Sequence, residues 1–282
     1  MSWVWPIACG LVVNAAVVST PAQIVTLVDQ SSVATVNLDS APTQAGLGMT
    51  SWSVGGINNL AQQWFWYRVG SSGPEQPINT IGGLTFSQPN ARTLYATYNN
   101  GAYGVTINYL LTGSALGPNV SADISESISI HNGSGAPLSF HFFQYSNFDL
   151  LGTPAGDTVQ LGKNLRGLFN EADQTKSAGP LSVALTETVV TPGANHGEAA
   201  FYNSTLAKLS DGNPDNLNDN AGPVGPGDVT WALQWDFVIP AGGSVGISKD
   251  KYLQLSNIPE PSLFALTSLG LLACVLRKRR LS

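Results

Sequence analysis

The feature that most constrains the fold is a two-residue alternation of apolar and polar side chains in several short segments. Successive side chains of a strand point to opposite faces, so such spacing predicts β-strands that each have one apolar face. The clearest case is DVTWALQWDFVI, where one face carries Val229, Trp231, Leu233, Trp235 and Phe237. The segments VSADISESISI, LSFHFFQY and LSVALTETVV alternate likewise, and YATYNNGAYGVTINYLL predicts a hairpin that turns at residues 99–101.

No helical layer is expected between these strands. The best helical candidate, INNLAQQWFWYRVG, alternates equally well and predicts a strand from Gln63 onward. Many short strands separated by Gly, Pro, Asn and Ser clusters are typical of an all-β protein. We therefore predict a single large antiparallel β-sandwich, with Greek-key or jelly-roll-like connections, over residues 23–257.

Charge is sparse and unevenly distributed. Charged residues make up 11% of the 282 residues, against about 25% in an average globular chain. Four of the twelve basic residues lie in the C-terminal cluster 277–280, which leaves eight basic and eighteen acidic residues in residues 1–262. An acidic body without a basic stripe argues against a nucleic-acid partner. A neutral polar composition indicates an exported protein.

The N-terminal 22 residues are interpreted as a signal peptide. Residues 7–18 are almost wholly apolar, and the small residues of STPAQ follow, which predicts cleavage after Ala22. The leading MSWVWP lacks the usual basic residue, and a buried first strand is the alternative. Cys9 and Cys274 both lie in terminal apolar runs, so the body has no disulfide and no thiol nucleophile.

The C-terminal residues 258–282 have three parts. A Pro-Glu-Pro-Ser motif precedes fourteen uncharged residues, 263–276, and a basic cluster follows them. As a helix this stretch would span about 21 Å, which is short for a hydrocarbon core of about 30 Å. We predict a short transmembrane helix whose basic end stays in the cytoplasm. The sorting residues are Pro259, Glu260, Pro261, Ser262, Arg277, Lys278, Arg279 and Arg280.

This order of parts resembles the PEP-CTERM sorting signal of exported bacterial proteins. The resemblance implies an exosortase-type processing enzyme as a partner, a membrane-anchored precursor, and delivery to the cell surface or the extracellular matrix. The segments SWSVGGINNLAQQWFWYRVG, GPEQPINTI and GDVTWALQWDF also resemble parts of uncharacterised PEP-CTERM proteins. An ordinary tail anchor is the alternative.

A weak calcium-site pattern lies in DGNPDNLNDN. Oxygen ligands are spaced as in a calcium loop, although the sixth position is Asn216 instead of Gly and the twelfth is Gly222 instead of Glu. A solvated turn explains the same residues, and no other cofactor is expected. The candidate ligands are Asp211, Asn213, Asp215 and Asp219.

No catalytic motif is evident. His131 and His141 would be cross-strand neighbours if their strands formed a hairpin, and His196 lies apart. Glu126 and Glu187 are the first candidates for a carboxylate pair, although a charge at a sheet edge or rim explains either. There is no metalloprotease motif and no serine-hydrolase elbow.

The aromatic residues offer a glycan hypothesis. Trp64 and Trp66 could stack on sugar rings, or they could pack in the core. The leading functional prediction is a non-enzymatic surface or matrix protein linked to exopolysaccharide or biofilm. The alternatives are a glycan-binding module for exopolysaccharide and a secreted hydrolase.

Overall fold

A computed structural model of the chain describes residues 23–39 and 46–257. These residues form two antiparallel nine-stranded sheets, called sheet A and sheet B, that share one apolar core. The predicted all-β sandwich is confirmed at this level. The predicted signal segment 1–22, the sorting tail 258–282 and the helix 263–276 lie outside the described residues.

Sheet A has the strand order β1-β2-β3-β5-β11-β17-β15, with β4 paired to β3 and β6 paired to β5. Its strands are β1 (Ile24–Asp29), β2 (Ser32–Asn37), β3 (Gly48–Val54), β4 (Ile57–Asn58), β5 (Gln62–Val69), β6 (Gln76–Pro77), β11 (Leu138–Asn147), β15 (His196–Phe201) and β17 (Val229–Ile239).

Sheet B has the strand order β16-β12-β13-β14-β18-β10-β9-β8-β7. Its strands are β7 (Thr85–Asn90), β8 (Thr93–Asn99), β9 (Tyr103–Gly113), β10 (Asn119–Asn132), β12 (Asp157–Lys163), β13 (Phe169–Ala178), β14 (Leu181–Thr191), β16 (Val224–Gly227) and β18 (Ser244–Asn257).

Helical structure is minor in the part of the chain that the structure describes. One short α-helix, α1, spans Ser204–Lys208, and 3₁₀ turns lie at Ile78–Ile81 and Leu150–Gly152. Among the described residues no helix is long and apolar enough to cross a membrane.

The alternating segments form the strands that their patterns predict. In β10 the inner positions Val120, Ala122, Ile124, Ile128 and Ile130 are all buried. The hairpin at residues 99–101 is confirmed, because β8 and β9 pair from Asn99 opposite Gly104. The segment that competed between helix and strand is β5, which begins at Gln62.

Stacked aromatic rings line the inner face of sheet A. Phe65 stacks on Phe142 with ring centroids 5.3 Å apart, and Tyr67 stacks on Phe140 at 5.7 Å. Trp235 packs against Phe142 at 6.1 Å. Because these residues come from the adjacent strands β5, β11 and β17, their packing supports the register of the three strands.

Four charged side chains are fully buried between the sheets, and we call them the buried quartet: Glu126, Glu187, Lys249 and Lys251. Lys251 Nζ lies 2.7 Å from Glu126 Oε1 and 3.1 Å from Glu187 Oε2, and Lys249 forms a close ion pair with Glu126. From sheet A, Gln144 Nε2 donates to Glu187 Oε2 at 2.9 Å. The quartet therefore joins three strands of sheet B and one strand of sheet A.

The buried quartet corrects the interpretation of Glu126 and Glu187. Neither lies at a sheet edge or rim, and neither is accessible to a substrate, since both side chains are fully buried. Burial raises the pKa of Glu187, an effect that Lys251 and Gln144 partly offset. Burial, and next the neighbouring Lys251, hold the pKa of Lys249 well below its usual range. The two carboxylates are structural partners of the two ammonium groups.

Breaking one pair in the buried quartet should cost more than removing the pair. Lys249→Met leaves Glu126 with one ammonium partner instead of two, and we expect a loss of about 3–5 kcal/mol in the free energy of unfolding. The double variant Glu126→Met/Lys249→Met removes both charges and should be more stable than Lys249→Met alone. Urea denaturation of the wild type, both single variants and the double variant measures this. If the loss of stability in the double variant equals the sum of the losses in the two single variants, Glu126 and Lys249 are not an energetic pair.

Candidate active site

Three polar residues lie side by side on adjacent strands of sheet A. His141 on β11 is directly opposite Arg68 on β5 and opposite Asp236 on β17. Phe142, which follows His141, and Trp235, which precedes Asp236, point into the core. Because successive side chains alternate, the row of Arg68, His141 and Asp236 lies on the outer face of the sheet.

A fourth residue, His196, joins this row from β15. His141 Nδ1 lies 2.5 Å from Asp236 Oδ1, and His196 Nε2 lies 3.5 Å from Asp236 Oδ2. His196 Nδ1 is 3.1 Å from both carboxylate oxygens of Asp219. A continuous series of contacts thus links four residues, which we call the acid–base cluster: His141, Asp236, His196 and Asp219.

The acid–base cluster is partly open to solvent. The side chains of His141, Asp236 and His196 are 17%, 29% and 31% exposed. On the same face of β17, Val238 is 74% exposed, so the cluster borders an open part of the sheet. A small molecule could therefore reach the histidines.

The electrostatics of Asp236 favour its ionised form. Burial alone would raise its pKa, but the hydrogen bonds from His141 and Gln234 and the charges of both histidines outweigh burial and hold the pKa below its usual value. Gln234 Nε2 donates to Asp236 Oδ1 at 2.9 Å. The backbone N–H of Asp236 also donates to Asn195 Oδ1. The carboxylate is therefore held in one position.

Arg68 fixes the segment that crosses this face. Its guanidinium donates to Glu75 Oε1 at 2.5 Å, to the carbonyl oxygen of Asp215 at 2.6 Å, and to Asn216 Oδ1 at 2.9 Å. Further along, the backbone N–H of Leu217 donates to Gln234 Oε1. Residues 215–220 thus cross the outer face from Arg68 on β5 to Glu198 and Ala199 on β15.

This arrangement is suited to proton transfer. With Nδ1–H of His141 donating to Asp236, the lone pair of the ring lies on Nε2, for which the described residues supply no hydrogen-bond partner. A carboxylate that orients an imidazole and stabilises its protonated form is a common arrangement for general acid–base catalysis. His141 is therefore the candidate proton donor and acceptor, and Asp236 is its positioning partner.

The predicted calcium residues are not brought together as a ligand set. Asp211 Oδ1 accepts the backbone N–H of Asn213, as in an ordinary turn, and the backbone of Asp215 binds Glu75 and Arg68. Asp219 binds His196 instead. Across residues 23–39 and 46–257, no three His, Cys, Asp or Glu side chains are arranged to hold a metal ion.

The predicted stacking residues are buried. Trp64 and Trp66 are both fully buried, so neither presents a ring face to a sugar, and the reason for assigning them to glycan stacking is removed. His131 and His141 are not neighbours either, because β10 and β11 lie in different sheets. His131 is exposed and lies 3.1 Å from Ser244 Oγ. Ala22 and the sorting residues Pro259 to Arg280 are outside the described residues.

Comparisons with known proteins identify the fold. No protein-family model and no curated protein matches the chain. The chain is similar in structure to a bacterial glucoamylase solved in complex with acarbose, with a TM-score of 0.52 and 10% identity. The match covers 91% of this chain and 37% of the glucoamylase chain, so this chain spans just over a third of that protein.

Smaller proteins give weaker matches. A galactose mutarotase related enzyme from Lactobacillus acidophilus has a TM-score of 0.46 at 6% identity, with 84% of this chain and 98% of that chain covered. An aldose epimerase homologue from C. elegans has a TM-score of 0.42 at 8% identity, with 84% and 100% covered.

The likeness to the glucoamylase overturns one prediction. The expectation of a non-enzymatic surface or matrix protein is contradicted by this likeness in fold to a solved glucoamylase. At 10% identity the likeness concerns the fold, and the assignment of chemistry rests on the residues of this chain.

The pKa of Asp236 should depend on His141 more than on His196. Replacing His141 with Ala removes a hydrogen bond to the carboxylate, so the pKa of Asp236 should rise, whereas His196→Ala removes a weaker charge interaction and should raise it less. Carboxyl ¹³C NMR titration of both variants and the wild type measures the three values. An unchanged pKa in His141→Ala would contradict the geometry of the cluster.

Proposed function

We propose that this chain is a sugar-processing enzyme in which His141, oriented by Asp236, transfers a proton at an oxygen of a neutral sugar. The observation that carries the proposal is the partly exposed His141–Asp236 pair, 2.5 Å apart, on an accessible sheet face. The glucoamylase-like fold supports the choice of a sugar. The activity of that larger protein is not transferred to this chain.

The position of His196 supports a role at the same site. Its imidazole lies between the carboxylates of Asp236 and Asp219 and contacts both of them. The ring fills the space between the two carboxylates, so the two do not flank an open gap as the carboxyl pair of a glycoside-cleaving enzyme does. We place cleavage of a glycosidic bond first because of the likeness in fold to the glucoamylase, and interconversion of the anomers of a free sugar is the second reaction to assay.

Loss of His141 should remove most of the activity. We expect His141→Ala to lower kcat by about 10²–10⁴-fold, since a positioned general acid or base contributes that much. Asp236→Asn should also lower kcat strongly, because it changes the tautomer and the position of the imidazole. Release of reducing ends from a panel of neutral glycans, and anomer exchange of free aldoses followed by ¹H NMR, measure the two reactions.

The control for this assay is His131→Ala, which removes an exposed histidine on the opposite sheet and should leave the activity unchanged. Equal activity of wild type and His141→Ala on every sugar that is turned over would contradict the proposal. So would the absence of both reactions across the panel.

We also propose that the chain is exported and sorted through its C-terminal segment. The support is the sequence: a signal-like segment 1–22, the motif Pro259-Glu260-Pro261-Ser262, the apolar stretch 263–276 and the basic end. An exosortase-type enzyme would process the membrane-anchored precursor. A body delivered outside the cell meets exopolysaccharide, which is the glycan that we propose as its substrate.

Sorting should depend on the motif. In the native host, the triple variant Pro259→Ala/Glu260→Ala/Pro261→Ala is expected to stay unprocessed in the membrane fraction, as judged by the mobility of the immunoblotted protein. Conversion of the variant to the mature form at the wild-type rate would show that the motif is not the signal.

A further inference from the structure

The outer face of sheet B carries hydroxyl and amide side chains around exposed rings. The strands β7, β8, β9, β10 and β18 each contribute one residue to a row across this face. Each residue of the row lies directly opposite the next one in the neighbouring strand. Since neighbouring strands lie about 4.8 Å apart, this row is about 19 Å long. Its members are Ser87, Tyr95, Asn108, Ser127 and Ser248.

Tyr95 lies between two grooves on this face. Its side chain is 43% exposed, and it lines both a groove of about 330 Å³ and a groove of about 280 Å³. The larger groove is also lined by Thr93, Asn108, Leu110, Ser125, Ser127 and Ser248, and by Tyr109 and Glu126, whose side chains are buried beneath it. The smaller one is lined by Thr85, Phe86, Ser87 and Thr97. The phenol ring is thus the shared wall of two shallow depressions.

Asn108 contributes an amide side chain to the lining of the larger groove. Its Oδ1 is buried and has no partner among the described residues, so that atom is not itself open to a ligand in the groove.

The lining of the grooves selects the class of ligand. No lysine or arginine of the described residues lines either groove, so phosphate or uronate groups would find no cation there. Hydroxyl and amide groups around the exposed rings of Tyr95 and Phe86 match a neutral sugar, whose hydroxyls form hydrogen bonds and whose apolar ring face packs on an aromatic ring.

From these observations we infer that the outer face of sheet B is a second glycan-binding site, separate from the acid–base cluster on sheet A. Tyr95 stacks on one sugar ring of a neutral polysaccharide, and the hydroxyl and amide side chains of the row form hydrogen bonds with hydroxyls of the same polysaccharide. The glycan lies across β7, β8, β9, β10 and β18. Such a site holds the polysaccharide on the enzyme and does not take part in the reaction.

The test is affinity gel electrophoresis in native gels that contain dextran, amylose or galactomannan, with alginate as the acidic comparison. We expect at least one of the neutral polysaccharides to retard the wild type and His141→Ala equally. Tyr95→Ala should raise the dissociation constant at least about tenfold, and Asn108→Ala should raise it less. Thermal unfolding checks that the variants are folded.

The matched control is Tyr252→Ala. Tyr252 is 45% exposed on the same face, but it lies opposite Asp123 and outside both grooves, so its loss should leave retardation unchanged. The inference would be overturned if none of the neutral polysaccharides retarded the wild type, or if alginate alone did so. It would also be overturned if Tyr95→Ala were retarded as strongly as the wild type. A Tyr95-dependent dimer in sedimentation, without retardation, would identify this face as a self-association surface instead.

The two proposals fail separately. A wild-type protein that is retarded through Tyr95 but inactive on every sugar would contradict the enzymatic proposal and leave the second site standing. An active protein that no neutral polysaccharide retards would contradict the second site and leave the enzymatic proposal standing.

Discussion

The register of β5, β11 and β17 is the constraint on which the site depends. In this register Phe65, Phe142 and Trp235 pack inside, while Arg68, His141 and Asp236 meet outside. A shift of one residue in any of the three strands would exchange the two sets of side chains, because the period of a strand is two. The apolar packing of the core therefore also determines which polar groups come together on the surface.

The burial of basic side chains in ion pairs determines the charge of the protein surface. Half of the eight basic residues outside the tail are buried in ion pairs: Arg68, Lys176, Lys249 and Lys251. The exposed surface of the described residues is consequently poorer in positive charge than the composition suggests. Neutral glycans suit such a surface better than acidic ones, since an acidic polymer would meet few cations and many carboxylates. Both proposed sites fit this balance.

Alternation within a strand could be predicted from the sequence, whereas the partners of each strand could not. The alternation of VSADISESISI predicts the strand β10 but not the burial of Glu126 on its inner face, which depends on Lys249 and Lys251 from the neighbouring strand β18. However, β10 and β11 belong to different sheets, so His141 meets Asp236 and His196 instead of His131. The sequence left Trp64 and Trp66 open between core packing and sugar stacking, because alternation alone does not say what covers each face of a strand. Both are buried: Trp64 contacts Tyr98 of sheet B, and Trp66 packs on Tyr145.

The role of His141 is tested most directly by observing its imidazole while sugar binds. With ¹⁵N-labelled histidine, we expect neutral oligosaccharides to shift the Nε2 resonance of His141 and to leave the resonances of His131 unchanged. The shift should saturate at the sugar concentration that half-saturates turnover. If the resonances of His141 stay in place at saturating sugar, the proposed role of the His141–Asp236 pair is wrong.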